Sequence, residues 1–201
     1  MGANIKRLFG EEFNSLLLLN LITAALTLPV VTLGPALVAL YGTLYKVLDD
    51  TCDRSRVRQF WTLFKAKFWK GVLLELTVGG YGAMLLWCSA LAGKLGDRGL
   101  VLWMVTVLMG SWAALSSVCV CQLLAATEQP FGTALWNGIC LALGRLPLSL
   151  LAALSTYGVL IVCYLLYPIS ILPLAVILLS AMAALAASIL TPAVQDLFAE
   201  D

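Results

Sequence analysis

The segment from Leu19 to Tyr41 constrains this chain most, because it carries no charged side chain and a Pro-Val-Val-Thr-Leu-Gly-Pro sequence interrupts its centre. An uncharged apolar run of this length is typical of a segment that enters a membrane. Pro29 has no backbone N–H and clashes with the preceding turn, so a helix should stop or kink there. Gly34 followed by Pro35 is the order expected where one helix ends and the next begins. The segment therefore predicts two helices joined by a proline-rich break.

The composition of the whole chain points the same way. Of the 201 residues, 62% are hydrophobic and only 11% are charged, whereas a soluble domain is about half apolar and about a quarter charged. A soluble core cannot bury this much apolar surface, so we expect lipid to cover the excess. We predict an all-α, polytopic helical membrane protein in which residues 1–201 form a single membrane domain.

Apolar runs and the polar turns between them predict about six membrane helices and two amphipathic surface helices. The membrane helices are expected at about 14–28, 35–48, 71–93, 100–126, 148–167 and 174–190, and the surface helices at 57–70 and 130–147. This order divides the domain into a hairpin over 1–50, a surface helix with two membrane helices over 54–126, and a weak repeat of that unit over 130–201. The repeat aligns Tyr157 with Tyr81 and Trp136 with Phe60.

The distribution of basic residues predicts the orientation. Lysine and arginine are concentrated in cytoplasmic loops of membrane proteins. If the first two helices form a hairpin across the membrane, every lysine and arginine except Lys94 and Arg98 falls on one side. We therefore expect both termini in the cytoplasm and the proline-rich break outside. The alternative is five crossings, in which the second helix does not return; Lys6 and Arg7 then change sides, and the charge separation is weaker.

The first surface helix has the pattern of a helix lying among lipid headgroups. Its aromatic side chains recur at the spacing of one helical face, and its lysines cluster largely away from them. The candidate interfacial residues are Phe60, Trp61, Phe64, Lys65, Lys67, Phe68 and Lys70. The alternative interpretation is that this segment simply begins the membrane helix that follows it.

Glu75 and Asn20 are the two candidates for a functional polar residue inside the predicted membrane helices. A charge in hydrocarbon costs at least ~2.5 kcal/mol, so Glu75 needs a partner or a wet cavity. We hypothesise that Glu75 lines a polar cavity facing the cytoplasm; the alternative is that it reaches the interface or pairs with a nearby lysine. An amide in a membrane helix must be hydrogen-bonded internally, and Asn20 is more typical of a contact between helices than of a ligand site. The candidate polar residues are Asn20, Pro29, Thr32, Gly34, Pro35 and Glu75.

Several classes of function are disfavoured by composition. The absence of histidine removes His-based acid–base catalysis and the usual zinc sites. Most of the six cysteines lie in or beside apolar segments, where cysteine behaves as a small hydrophobic residue. A net charge of +1 gives no electrostatic basis for nucleic-acid binding. We expect no enzymatic activity, no cofactor, no metal and no nucleic-acid partner.

The N-terminal part of the chain resembles the YesL-like bacterial integral membrane proteins. The matching positions are Asn20, Leu28, Pro29, Val30, Val31, Thr32, Gly34, Pro35, Leu40 and Tyr41. The aromatic and lysine-rich segment from Phe60 to Lys70 also fits. The resemblance implies an uncharacterised family of the bacterial inner membrane, often encoded near carbohydrate-uptake transporters and glycan-degrading enzymes. It implies no catalytic residues.

These observations lead to two expectations for function. The first is a non-enzymatic membrane protein that assists a solute-uptake system, with carbohydrate as the solute that the resemblance implies. Its partners would be the lipid bilayer and other membrane proteins such as transporter subunits, and formation of a homo-oligomer is left open. The second is a small transporter or channel in its own right, with Asn20, Glu75 and the broken helix along its path.

Overall fold

The computed structural model describes residues 13–27, 29–48, 55–158, 161, 165 and 179–199, and every regular element among them is helical. The longer helices are α1 (Phe13–Thr27), α2 (Leu33–Leu48), α3 (Arg56–Lys94), α4 (Leu100–Ala126), α5 (Phe131–Gly144), α6 (Leu146–Ala153) and α7 (Leu179–Ala199). Single 3₁₀ turns lie at Val30–Thr32 and Gly96–Gly99, and a π-helical turn, Leu154–Gly158, follows α6. The predicted all-α class is confirmed for this part of the chain.

Helices α3 and α4 form an antiparallel hairpin. No proline interrupts α3, whose 39 residues extend about 58 Å at ~1.5 Å per residue. The helix ends because Gly96 adopts a φ of 57°, a left-handed conformation that glycine reaches without steric cost. The predicted boundary between a surface helix and a membrane helix at residues 70 and 71 is therefore wrong. A change of polarity along one continuous helix had been interpreted as the junction of two helices.

Helix α2 packs along the first half of α3 and runs antiparallel to it. Gly34, at the start of α2, touches the backbone of Gly71, and Gly42 lies against Leu63. The hydrophobic core lies at the end of the hairpin where α2 packs against α3. Its large, fully buried side chains are Leu19, Val38, Leu40, Leu44, Phe60, Val120, Leu123, Leu124 and Leu190.

Helices α5 and α6 meet at a sharp bend of 105° between Gly144 and Leu146. Gly138 of α5 lies directly against Val120 of α4. At the corresponding place in the predicted repeat, α3 continues without a bend. The two proposed copies therefore differ at this junction, and the repeat stays a prediction.

The described residues hold fewer membrane-spanning candidates than the six expected. Two helices, α3 and α4, are long and apolar enough to cross a membrane, and the bent pair formed by α5 and the segment Leu146–Gly158 would make a third. Helices α1 and α2 have 15 and 16 residues, or about 22–24 Å, which is short of a ~30 Å hydrocarbon core. The parts of the predicted helices at 159–160, 162–164 and 166–178 lie outside the described residues.

Candidate functional site

The proline-rich break between α1 and α2 is closed by a single 3₁₀ turn, Val30–Thr32. The backbone N–H of Thr32 donates to the carbonyl oxygen of Pro29 at 3.0 Å. The Thr32 hydroxyl lies within hydrogen-bonding distance of the carbonyl oxygens of both Pro29 and Leu26. Because α1 has ended, Leu26 has no helical N–H donor, and the hydroxyl takes that place. Thr32 thus stabilises the chain reversal that Pro29 requires.

Glu75 of α3 binds the start of α2. Its Oε2 accepts the backbone N–H of Gly34 at 3.0 Å. This N–H belongs to the first turn of α2, where backbone donors have no partner within the helix. A carboxylate at this position is also favoured by the partial positive charge of the helix N-terminus. Glu75 therefore acts as an N-terminal cap supplied by a neighbouring helix.

A close backbone contact places Glu75 over this helix end. A Cβ on Gly34 would collide with the carbonyl oxygen of Gly71 and would lie 3.0 Å from Cβ of Glu75. A Cβ on Gly71 would lie 2.5 Å from the backbone N of Pro35. Only glycine fits at both positions while the helices keep this separation. Gly71 lies one turn before Glu75, so the crossing fixes the carboxylate beside the Gly34 N–H.

The structure thus brings Thr32, Gly34, Pro35 and Glu75 of the predicted site together at the break. Asn20 is fully buried on α1, about two turns before that helix ends. Gly71 was missed, because it had been interpreted as the first residue of a new helix. The available signal in the sequence was its position one helical turn before Glu75, which lies inside a predicted membrane helix.

A second polar group lies at the base of the hairpin, where Lys67 caps the C-terminus of α4. Its Nζ donates to the carbonyl oxygens of Leu124 and Ala125, both at 2.8 Å, and of Thr127 at 2.9 Å. It also lies 3.3 Å from Oε1 of Glu128. The last carbonyls of a helix lack partners and carry partial negative charge, so a cation is favoured there. These contacts compensate the burial of the ammonium group.

Lys70 lies about one turn further along α3 and contacts the same segment. Its Nζ donates to the carbonyl oxygen of Gln129 at 2.9 Å and lies 3.8 Å from Oε2 of Glu128. The side-chain oxygen of Gln129 in turn accepts from Asn137 of α5 at 3.2 Å. The two lysines therefore hold the linker between α4 and α5 against α3. We call Lys67, Lys70 and Glu128 the lysine clasp.

The sequence had placed Lys67 largely away from the aromatic face of this segment, and that placement is wrong. Lys67 follows Phe60 by two helical turns, so both side chains point into the bundle, and both are buried. Phe60 stacks on Phe64, which contacts Phe68 at 5.6 Å between ring centroids. These rings pack in or against the core. Two of the candidate interfacial residues, Trp61 and Lys65, are exposed; whether they meet lipid headgroups stays a prediction.

A third polar group surrounds the π-helical turn. The hydroxyls of Ser117 on α4 and Tyr157 in the turn lie 2.7 Å apart. This contact links the π-helical turn to α4. No sequence pattern indicated this role of Tyr157.

The part of the chain that the structure describes is helical and holds two or three helices that could span a membrane, which is consistent with a membrane protein. Residues 14–88 match the family described as "Protein of unknown function, DUF624". No curated protein and no solved structure matches the chain. The matched residues contain the break, the Gly34–Gly71 crossing, Glu75 and both lysines of the clasp. The match thus agrees with the resemblance in pointing to an uncharacterised family.

Proposed function

We propose that this chain is a non-enzymatic, multi-pass protein of the bacterial inner membrane that assists a solute-uptake system through contacts between helices. The proposal rests on one observation: large apolar side chains are exposed in the outer half of the α3–α4 hairpin, which is the part beyond Glu75. They include Leu76, Val78, Met84, Leu86, Trp87 and Leu91 on α3, and Leu100, Val101, Trp103, Met104, Val105, Val107, Leu108 and Met109 on α4.

The two faces of α3 differ in this half. The face toward α4 holds Tyr81, Leu85 and Ala92, and Leu85 contacts Gly110 of α4. Gly79 lies on the opposite side of α3 and Gly82 on its flank, among large exposed side chains such as Leu86, and a Cβ at either glycine would meet nothing within 4 Å. Small residues let helix backbones approach closely in membranes. This outward face therefore suits the helix of a partner protein.

The uptake role rests on the resemblance to YesL-like proteins. Members of that family are often encoded near carbohydrate-uptake transporters, which makes carbohydrate the proposed solute and a transporter subunit the proposed partner. The family matched over residues 14–88 is of unknown function, so the match names no substrate and no partner. The orientation with both termini in the cytoplasm remains part of the proposal. The count of six crossings is not kept, because α1 and α2 are too short.

The test is recovery of a transporter subunit with the tagged chain from native membranes, after cross-linking and extraction in mild detergent. We expect Gly79→Leu and Gly82→Leu to reduce recovery, because the larger side chains would separate the helices. Gly132→Leu is the matched control, since a Cβ at Gly132 also meets nothing within 4 Å but lies on α5. Failure of the unsubstituted chain to recover any transporter component would contradict the proposal.

A second candidate function is a small transporter or channel, favoured by the contact between Glu75 and the broken segment. Broken helices with free N-termini line substrate sites in several transporter folds. Here the ionisable side chain and the helix break meet directly at Gly34. Liposomes that contain only this protein separate the two candidates. Solute flux that is lost in Glu75→Gln supports the transporter, whereas absence of flux supports the accessory role.

A further inference from the structure

The two halves of the α3–α4 hairpin differ in charge and in packing. The outer half is the part beyond Glu75, and the inner half is the part that packs against α2. Helix α3 is about 58 Å long. Even at a tilt of about 40°, near the upper limit for membrane helices, it would extend about 45 Å along the membrane normal. A hydrocarbon core is only about 30 Å thick. Part of α3 must therefore lie outside the hydrocarbon.

Charge decides which part lies outside. Every charged residue of α3 except the terminal Lys94 falls between Arg56 and Glu75. Each lysine or arginine placed at the bilayer centre would cost about 2.5–3.5 kcal/mol. Arg58 and Lys65 are exposed, so no protein neighbour shields them from lipid. Residues 76–93 carry no charge and span about 27 Å, which nearly matches the hydrocarbon thickness.

Trp69 lies just before this uncharged stretch, and its side chain is 75% exposed. It precedes residue 76 by about 10 Å along the helix. Tryptophan is enriched at membrane–water interfaces, where its apolar ring and its N–H group are both accommodated. Trp69 and the neighbouring Lys70 therefore mark the inner boundary of the stretch, and Lys94 is the charged residue at its outer end. The second exposed tryptophan, Trp87, lies inside the stretch, about 9 Å before residue 93.

Packing agrees with this division. The buried side chains of α3 are concentrated in its first half, where Phe60, Leu63, Phe64 and Leu74 join the core. In the second half the apolar side chains are exposed on both helices of the hairpin. An exposed apolar hairpin of this size requires hydrocarbon around it.

We infer that, within the α3–α4 hairpin, the bilayer surrounds the outer half, from about Trp69 to Lys94 on α3, and that the proline-rich break lies at the cytoplasmic surface of the bilayer. The break is held at this level by the contacts of Gly34 with Gly71 and Glu75. Helix α2 then runs from the surface toward Arg56, because Gly42 lies against Leu63. This placement reverses the expectation that the break faces the outside. It rests on the membrane location in the proposed function, but not on any transport partner.

The test places single cysteines at exposed positions and labels them with a membrane-impermeant maleimide, reading each site by peptide mass spectrometry. Val31→Cys reports the break, Leu86→Cys the outer half and Leu95→Cys the tip; these side chains are 63%, 74% and 48% exposed. Right-side-out and inside-out membrane vesicles are compared. Leu33→Cys, also exposed, is the second reporter for the break if Val31→Cys is not monodisperse in detergent.

We expect Val31→Cys to be labelled only in inside-out vesicles and Leu95→Cys only in right-side-out vesicles. Leu86→Cys should be labelled in neither, although it is the most exposed of the three. The natural Cys140, which is exposed on α5, should likewise be labelled only in inside-out vesicles. Labelling of the break from outside, or labelling of Leu86→Cys from either side, would overturn the inference while leaving the proposed accessory role intact. A chain that alkaline carbonate strips from the membrane would refute both.

Discussion

The carboxylate of Glu75 and the backbone N–H of Gly34 meet at 3.0 Å although they are 41 residues apart in the chain. This hydrogen bond joins the one glutamate of a long apolar helix to the first turn of a helix that begins after a proline-rich break. It explains how an ionisable group is kept at this level of α3. The carboxylate finds a backbone donor and a favourable helix end instead of a lysine partner.

Removing the cap should destabilise the bundle. We expect Glu75→Ala to lower the free energy of unfolding by about 1 kcal/mol, as loss of an N-terminal cap typically does. Glu75→Gln keeps an acceptor oxygen and loses only the charge, so it should cost less. Thermal unfolding in detergent measures both, with the exposed Lys65→Ala on the same helix as control. Equal midpoints for Glu75→Ala and Lys65→Ala would argue against the cap.

The glycine crossing gives a prediction with an internal control. In Gly71→Ala the new methyl group meets the backbone of Pro35, which cannot move aside as a flexible side chain would. We expect a loss of about 1–3 kcal/mol, the usual cost of overpacking. Gly79→Ala lies on the same helix and meets nothing within 4 Å, so its better helix propensity should make it neutral or stabilising. We therefore expect Gly71→Ala to lower the midpoint of thermal unfolding and Gly79→Ala to leave it unchanged or raise it.

The lysine clasp should depend on hydrogen bonds to carbonyls more than on its ion pair. Lys67→Met removes the cation from three carbonyl oxygens at the end of α4, and we expect a loss of about 1–3 kcal/mol. Glu128→Gln should cost less than about 1 kcal/mol, because the Glu128 side chain is 82% exposed and solvent screens the pair. Lys65→Met is the control for Lys67→Met. A larger effect at Glu128 than at Lys67, measured by thermal unfolding, would reverse this ranking.

The contact between Ser117 and Tyr157 is suited to a double-mutant cycle. Tyr157→Phe and Ser117→Ala should each destabilise by about 1 kcal/mol, the net value of a typical hydrogen bond. The double variant should cost less than the sum, since the two changes remove one shared bond. Strict additivity of the three unfolding free energies would mean that the hydroxyls do not interact in the membrane-extracted protein.

Local features of the sequence predicted the break well. Pro29, Gly34 and Pro35 act on their own backbone, so the end of α1 and the start of α2 follow from nearby residues. The partner of Glu75 could not be predicted, because it depends on the packing of α2 against α3 through Gly34 and Gly71. Nothing in either segment alone specifies that crossing.

At Lys67 the pattern was visible in the sequence, but its interpretation was wrong. Its two-turn spacing from Phe60 was visible and places both residues on one face, but a lysine was assumed to point away from an apolar core. The partners that permit its burial are backbone carbonyls at the end of α4, and such partners leave no signal in the sequence. The uninterrupted course of α3 was missed for a related reason, since its composition changes at Lys70 while nothing there stops a helix.

The most direct test of the account is a depth profile along α3 in lipid bilayers. Spin labels at its exposed positions 61, 69, 76, 84, 86 and 91 would report collisions with oxygen, which concentrates in hydrocarbon, and with a water-soluble nickel chelate. We predict that the chelate dominates at positions 61 and 69 and oxygen at positions 76, 84 and 86, with the crossover between Trp69 and Leu76. A profile in which the chelate dominates at position 84 or 86, or oxygen at position 61, would contradict the account.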